Sequence, residues 1–316
     1  MDENMDLTPQ TTDVKDRKGA RVFLNDFLAG ICIGVAFIIP GFSGGSVAAI
    51  LGVYEKMIGA IANVFKEMKK SIITLFPIGL GLVIGAGTML FPLGYLISRF
   101  PLPTVSFFVG LAIGGIPTML GRVKGKPDSN NIIALSVPLV LALLITFIPS
   151  SAEVDLFNLT LGGYALLVLI GILGSCALIV PGISGSMLLL IFGYYRPLIT
   201  LITDHLLRFK DIPHCITVIG ACGVGMAIGV IAISVIMKEM FKRYPRGTYY
   251  AIIGFIIGSL PAVYVSTMKD AGMISDTFAP VSLPSSPVYY VACLFLVIIG
   301  IGASYLFSNI ADKKTE

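Results

Sequence analysis

The chain has 316 residues, of which 56% are hydrophobic and only 13% charged, and its mean hydropathy is +0.92. Soluble domains carry about 25% charged residues, so this composition excludes an ordinary soluble protein and indicates an integral membrane protein. The formal net charge of +4 gives no case for nucleic-acid binding. Several apolar runs approach or exceed the ~20 residues that cross a bilayer as helix, which favours an all-α polytopic fold over a β-barrel of short alternating segments.

Ten apolar runs follow a polar N-terminal segment, residues 1–21. This segment has no apolar core, so we expect no cleaved secretory signal. The runs lie at about 22–39, 45–64, 72–98, 104–121, 131–149, 162–180, 186–202, 215–238, 247–268 and 288–308. Two of the connections are unusual: IIPGFSGGSV, residues 38–47, and IVPGISGSML, residues 179–188, place proline, glycine and serine between apolar flanks.

Both connections belong to an internal duplication. Five positions match at a constant offset of 141 residues: Pro40, Gly41, Ser43, Gly44 and Gly52 with Pro181, Gly182, Ser184, Gly185 and Gly193. After a three-residue insertion the match continues, with Gly79, Gly81, Gly85, Arg99, Pro101, Thr104, Gly110, Gly114 and Pro117 opposite Gly223, Gly225, Gly229, Arg243, Pro245, Thr248, Gly254, Gly258 and Pro261. Glycine matches by chance easily, but a shared register that includes Arg, Pro and Thr indicates a true repeat.

The basic residues predict that the two repeats have inverted topology. With the N-terminus inside, most Lys and Arg fall on the cytoplasmic side, as the positive-inside rule requires, and the outside keeps Arg99, Arg196, Arg208, Lys210 and Lys269. A single run, 131–149, separates the repeats, so the second one starts from outside. The predicted organisation is a cytoplasmic tail (1–21), a first repeat (22–126), a connecting transmembrane helix (131–149), a second repeat (162–270) and a final transmembrane helix (288–308).

Breaks within a membrane helix must be covered by protein or must line a water-filled cavity, because an unpaired backbone group in hydrocarbon costs several kcal/mol. We therefore interpret each pair of runs around a break as a re-entrant helical hairpin, which gives about six full spans plus two hairpins. The alternative is two full spans joined by a tight surface turn. Exposed backbone N–H groups, the helix dipole and serine hydroxyls at such a break would form an anion site; the alternative is a packing turn of small residues.

Charge and symmetry add four candidates for binding an anionic substrate. Glu55 lies eleven residues beyond Gly44, or ~16 Å along a straight helix, and is predicted near the inner interface; Arg196 occupies its matched position in the second repeat, near the outer one. Arg99 is predicted outside and its match Arg243 inside. Asp26 is predicted to be a surface residue. Neither the five cysteines nor the two histidines have metal-ligand spacing, so no metal site, cofactor or catalytic residue is predicted.

The two motifs together, IIPGFSGGSVAAILGVYE and IVPGISGSMLLLIFGYY, resemble the signature pair of the bacterial polyprenyl-phosphate translocases, over residues 22 to 308. The resemblance implies a multi-pass protein of the bacterial cytoplasmic membrane that returns undecaprenyl phosphate from the outer to the inner leaflet for recycling of the carrier lipid. We expect both termini in the cytoplasm. The resemblance carries a substrate-binding role to the motif residues Pro40, Gly41, Ser43, Gly44, Gly45, Ser46, Pro181, Gly182, Ser184, Gly185 and Ser186.

Two other functions stay open at the level of sequence. An undecaprenyl-diphosphate phosphatase would also use inverted repeats and a Pro-Gly-Ser loop, but neither Pro-Gly-x-Ser-Gly motif, residues 40–44 and 181–185, has a carboxylate or histidine within ten residues to act as acid or base. An ion-coupled exporter of a small soluble anion would use the same breaks without a lipid gate. The coupling ion, proton or sodium, and the assembly into a homo-oligomer are not determined by the sequence.

Overall fold

The computed structural model describes residues 19–38, 43–121, 123, 127–148, 152–181, 188–189, 191–274, 282 and 284–312, and these form helices joined by short turns. The helices are α1 Gly19–Ile38, α2 Gly44–Ile50, α3 Tyr54–Ala62, α4 Met68–Arg99, α5 Pro101–Gly121, α6 Ser129–Thr146, α7 Leu161–Ile179, α8 Tyr195–Thr200, α9 Ile212–Arg243, α10 Pro245–Asp270 and α11 Pro287–Asp312. A π-helix, Leu201–Leu206, follows α8. The all-α prediction is confirmed.

Six of these helices contain a stretch long and apolar enough to cross a membrane, within the part of the chain that the structure describes: α4, α5, α6, α9, α10 and α11. The short helices α2 and α3 pass the same test only as a pair, and they are bent by 117° at their junction. A bend of this size belongs to a broken span or a re-entrant loop. The chain is therefore a multi-pass helical membrane protein.

The long helices pack as four close pairs, α1 with α4, α7 with α9, α5 with α11, and α6 with α10. Glycine makes the first pair close: a Cβ atom at Gly81 would lie 2.1 Å from the carbonyl oxygen of Phe27, and one at Gly30 would lie 2.2 Å from that of Ile78. Small residues allow such backbone approach between membrane helices, where packing and not water exclusion holds helices together.

The same contacts recur at the positions that the duplication matches, here called pseudo-equivalent positions. A Cβ atom at Gly225, the match of Gly81, would lie 2.0 Å from the carbonyl oxygen of Val168 on α7. Those at Gly110 and Gly254, also matched, would lie 2.2 Å from Val297 and 2.1 Å from Leu135, respectively. This recurrence supports the duplication and extends it to α6 and α11. The helix α11 packs on α5, which precedes α6, and α6 packs on α10, which precedes α11. The inverted orientation of the two units stays a prediction.

Two details differ from the sequence-based expectation. The single straight helix expected over 45–64 is wrong, because α2 ends at Ile50 and the chain turns at Gly52, whose φ of +75° suits glycine. The ~16 Å separation expected between the break and Glu55 therefore does not apply. Asp26 is also not a surface residue: only 6% of it is exposed, and Lys56 pairs with it.

Candidate functional site

The first helix break places two buried serines at the start of α2: Ser43 as its N-cap and Ser46 in its first turn. Ser43, immediately before α2, is 5% exposed and its Oγ atom has no hydrogen-bond partner among the described residues. Ser46 is 3% exposed, and its N–H donates to the Ser43 carbonyl at 3.0 Å. A buried hydroxyl without a partner costs about 1–3 kcal/mol, and no described residue supplies a partner for Ser43.

Glycine at the start of α2 allows the covering helix to approach. A Cβ atom at Gly44 would lie 2.7 Å from the ring of Phe37 on α1, and one at Gly115 of α5 would lie 2.5 Å from the side chain of Ile50 on α2. Gly44 and Gly45 are both buried. The short helix α2 is thus held between α1 and α5, and the break is covered by protein, as a break at membrane depth requires.

A hydrogen bond joins the region after the first break to the start of the second. The hydroxyl of Tyr54, at the start of α3, donates to the carbonyl oxygen of Ile179 at 2.7 Å, and both residues are buried. Ile179 is the last residue of α7, directly before the second break. Ala48 and Ala49 of α2 share the buried apolar cluster that contains Ile179. The region after the first break therefore lies against the start of the second.

Part of the second break can be described. Pro181 is buried, while Gly182, Ser184, Gly185 and Ser186, like Pro40 and Gly41 of the first break, lie outside the described residues. Gly193 then turns with φ +76°, almost the value of Gly52, and the N–H of Tyr194 donates to the Leu189 carbonyl at 2.9 Å. The pseudo-equivalent bond of the first repeat joins Val53 N–H to the Ala48 carbonyl at 3.0 Å.

The four charged candidates do not converge on the serines. Glu55 is exposed and accepts a hydrogen bond from the Tyr249 hydroxyl of α10, and Arg243 forms an ion pair with Glu239 at 2.5 Å on the exposed side of its own helix. Arg243 is the last residue of α9, and α3, which carries Glu55, lies beside this end of α9. The contact is shown by Lys238 of α9, which donates to Asn63 Oδ1, just beyond α3, at 2.8 Å. Glu55 and Arg243 belong to one end of the protein and not to the covered break.

Arg99 and Arg196 belong to the other end. Arg99 ends α4, a helix of 32 residues that starts near α3 and is about 48 Å long. Arg196 is exposed and forms an ion pair with Glu153 at 3.5 Å. The loop that carries Glu153 lies against the second turn, since Val154 N–H donates to the Gly193 carbonyl at 3.1 Å.

The same loop contains an ordered carboxylate outside the membrane-spanning segments. The pKa of Asp155 is lowered, chiefly by the hydrogen bond that the Asn158 side-chain amide donates at 2.7 Å and also by the one from the Phe157 N–H at 2.8 Å.

His205 and His214 flank Phe157, with ring centroids 4.7 and 5.2 Å from it. No group of three metal-binding side chains is present in the part of the chain that the structure covers.

Sequence reasoning missed the ion pair between Asp26 of α1 and Lys56 of α3. The two residues are 30 positions apart and the charges stand in separate apolar runs, so no local pattern joins them. The side chains are 9% and 29% exposed. Opposite charges in two runs that flank a break are the signal that could have suggested the pair.

The fold and its covered first break define the class: a multi-pass helical membrane protein with an interrupted helix of the kind that secondary transporters use. The chain belongs to the VCA0040-like family, described as undecaprenyl phosphate translocase-like, whose family model matches residues 33–278. This identifies a transporter and not an enzyme.

Two curated relatives are similar over nearly their whole length. A polyprenyl-phosphate transporter of Staphylococcus aureus is 29% identical over 295 residues, which cover 92% of this chain and 97% of that protein. A polyprenyl-phosphate transporter of Vibrio cholerae is 26% identical and the match covers 92% of this chain and 98% of that protein. No solved structure matches the chain at a significant level.

Proposed function

We propose that this protein moves undecaprenyl phosphate, or a closely related polyprenyl phosphate, from the outer to the inner leaflet of the bacterial cytoplasmic membrane, so that the carrier lipid is used again. The observation that carries the proposal is the buried hydroxyl of Ser43, which has no partner among the described residues and lies at a covered helix break. The family and the names of both relatives support the substrate class.

A phosphate headgroup suits this position. Its oxygens accept hydrogen bonds, and a charge-assisted bond from a hydroxyl supplies the partner that Ser43 lacks. We propose that both breaks, with their serines, contribute to one site, because the bond from Tyr54 to Ile179 joins the regions around them. We further propose that the two repeats are inverted, with both termini cytoplasmic, and that the site lies near the middle of the bilayer, where inverted-repeat transporters bind substrate.

The decisive experiment is a leaflet-exchange assay. Purified protein is reconstituted into vesicles with a fluorescent short-chain polyprenyl phosphate, and the exchange rate is measured with and without proton and sodium gradients. Exchange above that of empty vesicles supports the proposal, and its response to the gradients identifies the coupling ion. Uptake of a soluble anion without lipid exchange would instead support the exporter, and release of inorganic phosphate from a lipid diphosphate would support the phosphatase.

The hydroxyl of Ser43 gives the first prediction. We expect Ser43→Val to reduce the exchange rate by about 10- to 100-fold, because one charge-assisted hydrogen bond contributes about 1.5–3 kcal/mol, whereas Ser43→Thr retains the hydroxyl and most of the rate. The initial exchange rate of each variant at equal reconstituted amount is the measurement. Ser184→Val and Ser184→Thr test the second break in the same way. Equal rates for the valine and threonine variants would mean that the serines only pack.

Arg196 gives the second prediction. We expect Arg196→Gln to lower capture of the headgroup from the outer leaflet, and Arg196→Lys to lower it less, because lysine keeps the charge but loses the bidentate fork that suits phosphate. Glu153→Gln should leave capture unchanged or raise it, since this carboxylate competes for the same guanidinium. Exposed ion pairs contribute only about 0–1 kcal/mol, so a phosphate can displace Glu153. The apparent KM for lipid in the exchange assay is the measurement.

Arg208→Gln is the matched control for Arg196. Both guanidinium side chains are 64% exposed, and Arg208 also forms an ion pair, with Asp204 at 3.1 Å. If Arg208→Gln and Arg196→Gln raise the apparent KM equally, the effect is general surface charge and Arg196 has no specific role. We propose the same kind of phosphate contact for two further arginines. Arg99 is a second capture residue on the outer side, and Arg243, paired with Glu239, acts at release on the inner side.

A further inference from the structure

Several buried hydroxyl groups in the helices of this protein bond a carbonyl group of the preceding turn. Ser175 donates to the Ile172 carbonyl at 2.7 Å, and Thr146 donates to the Ala142 carbonyl at 2.8 Å. Such a bond satisfies a hydroxyl within its own helix. A buried hydroxyl that has neither this bond nor another partner lowers stability until a ligand or a water molecule supplies the partner.

Two serines have a buried hydroxyl with no hydrogen-bond partner among the described residues: Ser43 and Ser234. Ser43 belongs to the first break. Ser234 lies within the unbroken helix α9 and is 0% exposed. At the pseudo-equivalent position of α4 the sequence has Leu90, so a hydroxyl is not a general requirement of this helix in the two repeats. The burial of a polar group at Ser234 needs another explanation.

Ser234 lies on the face of α9 that packs on α3. Because 3.6 residues make one helical turn, four residues of α9 form a row along this face: Val230, Ser234, Met237 and Phe241. The three apolar members of the row pack in the buried cluster that contains Tyr54 of α3. The hydroxyl of Ser234 is therefore directed toward the first repeat and not toward lipid.

The same row leads to the start of the second break. The ring of Phe241 lies 5.9 Å from the ring of Tyr54. The Tyr54 hydroxyl in turn donates to the carbonyl oxygen of Ile179, the last residue of α7, at 2.7 Å. Ser234 precedes Phe241 by two turns, or ~10 Å along the helix.

The packing of α9 on α7 gives the level of Ser234 relative to the break. A Cβ atom at Gly225 would lie 2.0 Å from the Val168 carbonyl oxygen, and one at Gly229 would lie 2.7 Å from that of Ile172. The two helices therefore run parallel. Continued at the same spacing, this pairing brings Ser234 level with position 177, within one turn of Ile179. The hydroxyl lies at the depth where α7 ends and the second break begins.

We infer that Ser234 is a further hydrogen-bond donor to the phosphate of the substrate, and that the binding site extends from the two breaks to the unbroken helix α9. The inference rests on the proposed function. A phosphate monoester has three terminal oxygens that accept several hydrogen bonds, and a bond from a buried hydroxyl to a charged oxygen is a strong one. Bound phosphate thus supplies the partner that Ser234 lacks in the lipid-free protein.

This role predicts opposite effects on stability and on transport. A hydroxyl that is present for the substrate and unpartnered without it lowers the stability of the lipid-free protein. Its removal therefore stabilises the empty protein and weakens substrate binding. A serine that only packs, or that stabilises the fold, does not give this combination.

The test compares Ser234→Ala with the wild type. We expect the exchange rate of a short-chain polyprenyl phosphate in vesicles to fall by about 10-fold or more, the effect of losing one hydrogen bond to a charged group. The midpoint of thermal unfolding of the lipid-free variant in micelles should rise by about 2 °C or more. In the wild type, polyprenyl phosphate should raise this midpoint more than polyprenol of the same length does, and Ser234→Ala should lose most of this excess.

Two matched controls separate the location of the hydroxyl from its burial. Ser175→Ala removes a hydroxyl of a residue that is also 0% exposed but has a partner, and we expect neither a higher midpoint nor slower exchange. Thr267→Val removes a buried hydroxyl without a partner in the last turn of α10, at the end opposite Tyr249, which contacts α3. This variant should raise the midpoint and leave exchange unchanged. Equal losses of exchange in Thr267→Val and Ser234→Ala would overturn the inference.

The other outcomes distinguish this inference from the proposed function. If Ser234→Ala raises the midpoint but changes neither the exchange rate nor the excess shift, the hydroxyl holds a structural water only, and the inference is wrong while the proposed function stands. A lower midpoint, or failure to fold, would show that Ser234 stabilises the protein and would also overturn the inference. If the wild type exchanges no lipid, but inorganic phosphate raises its midpoint and Ser234→Ala abolishes that rise, Ser234 binds phosphate and the proposed lipid substrate is wrong.

Discussion

Lys56→Met is expected to destabilise the protein by about 3 kcal/mol, the lower end of the range for removing one partner of a buried ion pair. The substitution leaves Asp26 of α1 as a buried carboxylate without its cation, because Lys56 pairs with it and the Asp26 side chain is only 9% exposed. The lower end applies because the Lys56 side chain is 29% exposed, so the protein does not fully enclose the pair. The measurement is the free energy of unfolding in detergent micelles.

Two controls identify the cause of this loss. Lys70→Met removes a partner of Glu67 at 3.1 Å, but both side chains are about half exposed or more, and we expect a change of no more than about 1 kcal/mol. The double variant Asp26→Leu with Lys56→Met replaces both charges by apolar groups and should recover most of the stability. If Lys56→Met and Lys70→Met have the same effect, the pair between α1 and α3 does not hold α3 in place.

Gly81→Ala is expected to destabilise the protein by about 3 kcal/mol, toward the upper end of the usual cost of overpacking. The new Cβ atom would lie 2.1 Å from the carbonyl oxygen of Phe27. This neighbour is backbone and cannot rotate away, so α1 and α4 must separate along their contact. Gly225→Ala, at the pseudo-equivalent position, should cost a similar amount, because its Cβ atom would lie 2.0 Å from the Val168 carbonyl oxygen.

The matched controls lie two residues earlier on the same helices. Gly79 and Gly223 are themselves pseudo-equivalent, and a Cβ atom at either would meet nothing within 4 Å. We expect Gly79→Ala and Gly223→Ala to be neutral or to stabilise by up to about 1 kcal/mol, because alanine is the better helix former. Thermal unfolding followed by size-exclusion chromatography compares all four variants. Equal losses at Gly79 and Gly81 would mean that glycine content, and not the close approach, determines stability.

The sequence by itself determined the class of the protein, its six candidate membrane-spanning helices and the first helix break. Hydropathy and the backbone restrictions of proline and glycine act over a few residues, so they can be read without knowing the fold. The matched glycines also predicted the duplication, and close backbone contacts occur at such matched positions as Gly81 and Gly225. The turn at Gly52 could also have been predicted, because the second repeat has a glycine, Gly193, at the matched position.

The tertiary structure decided what depends on contacts between distant segments. Asp26 and Lys56 are 30 residues apart, and Tyr54 and Ile179 are 125 apart, so neither pairing can be derived from local patterns. Ser43 was a candidate from the motif, but only its surroundings show that its hydroxyl has no hydrogen-bond partner among the described residues. The clearest case is Tyr54 and Tyr195: matched positions in a duplicated sequence carry the same local preferences, and only the packing of α9 on α3 makes one buried and leaves the other exposed.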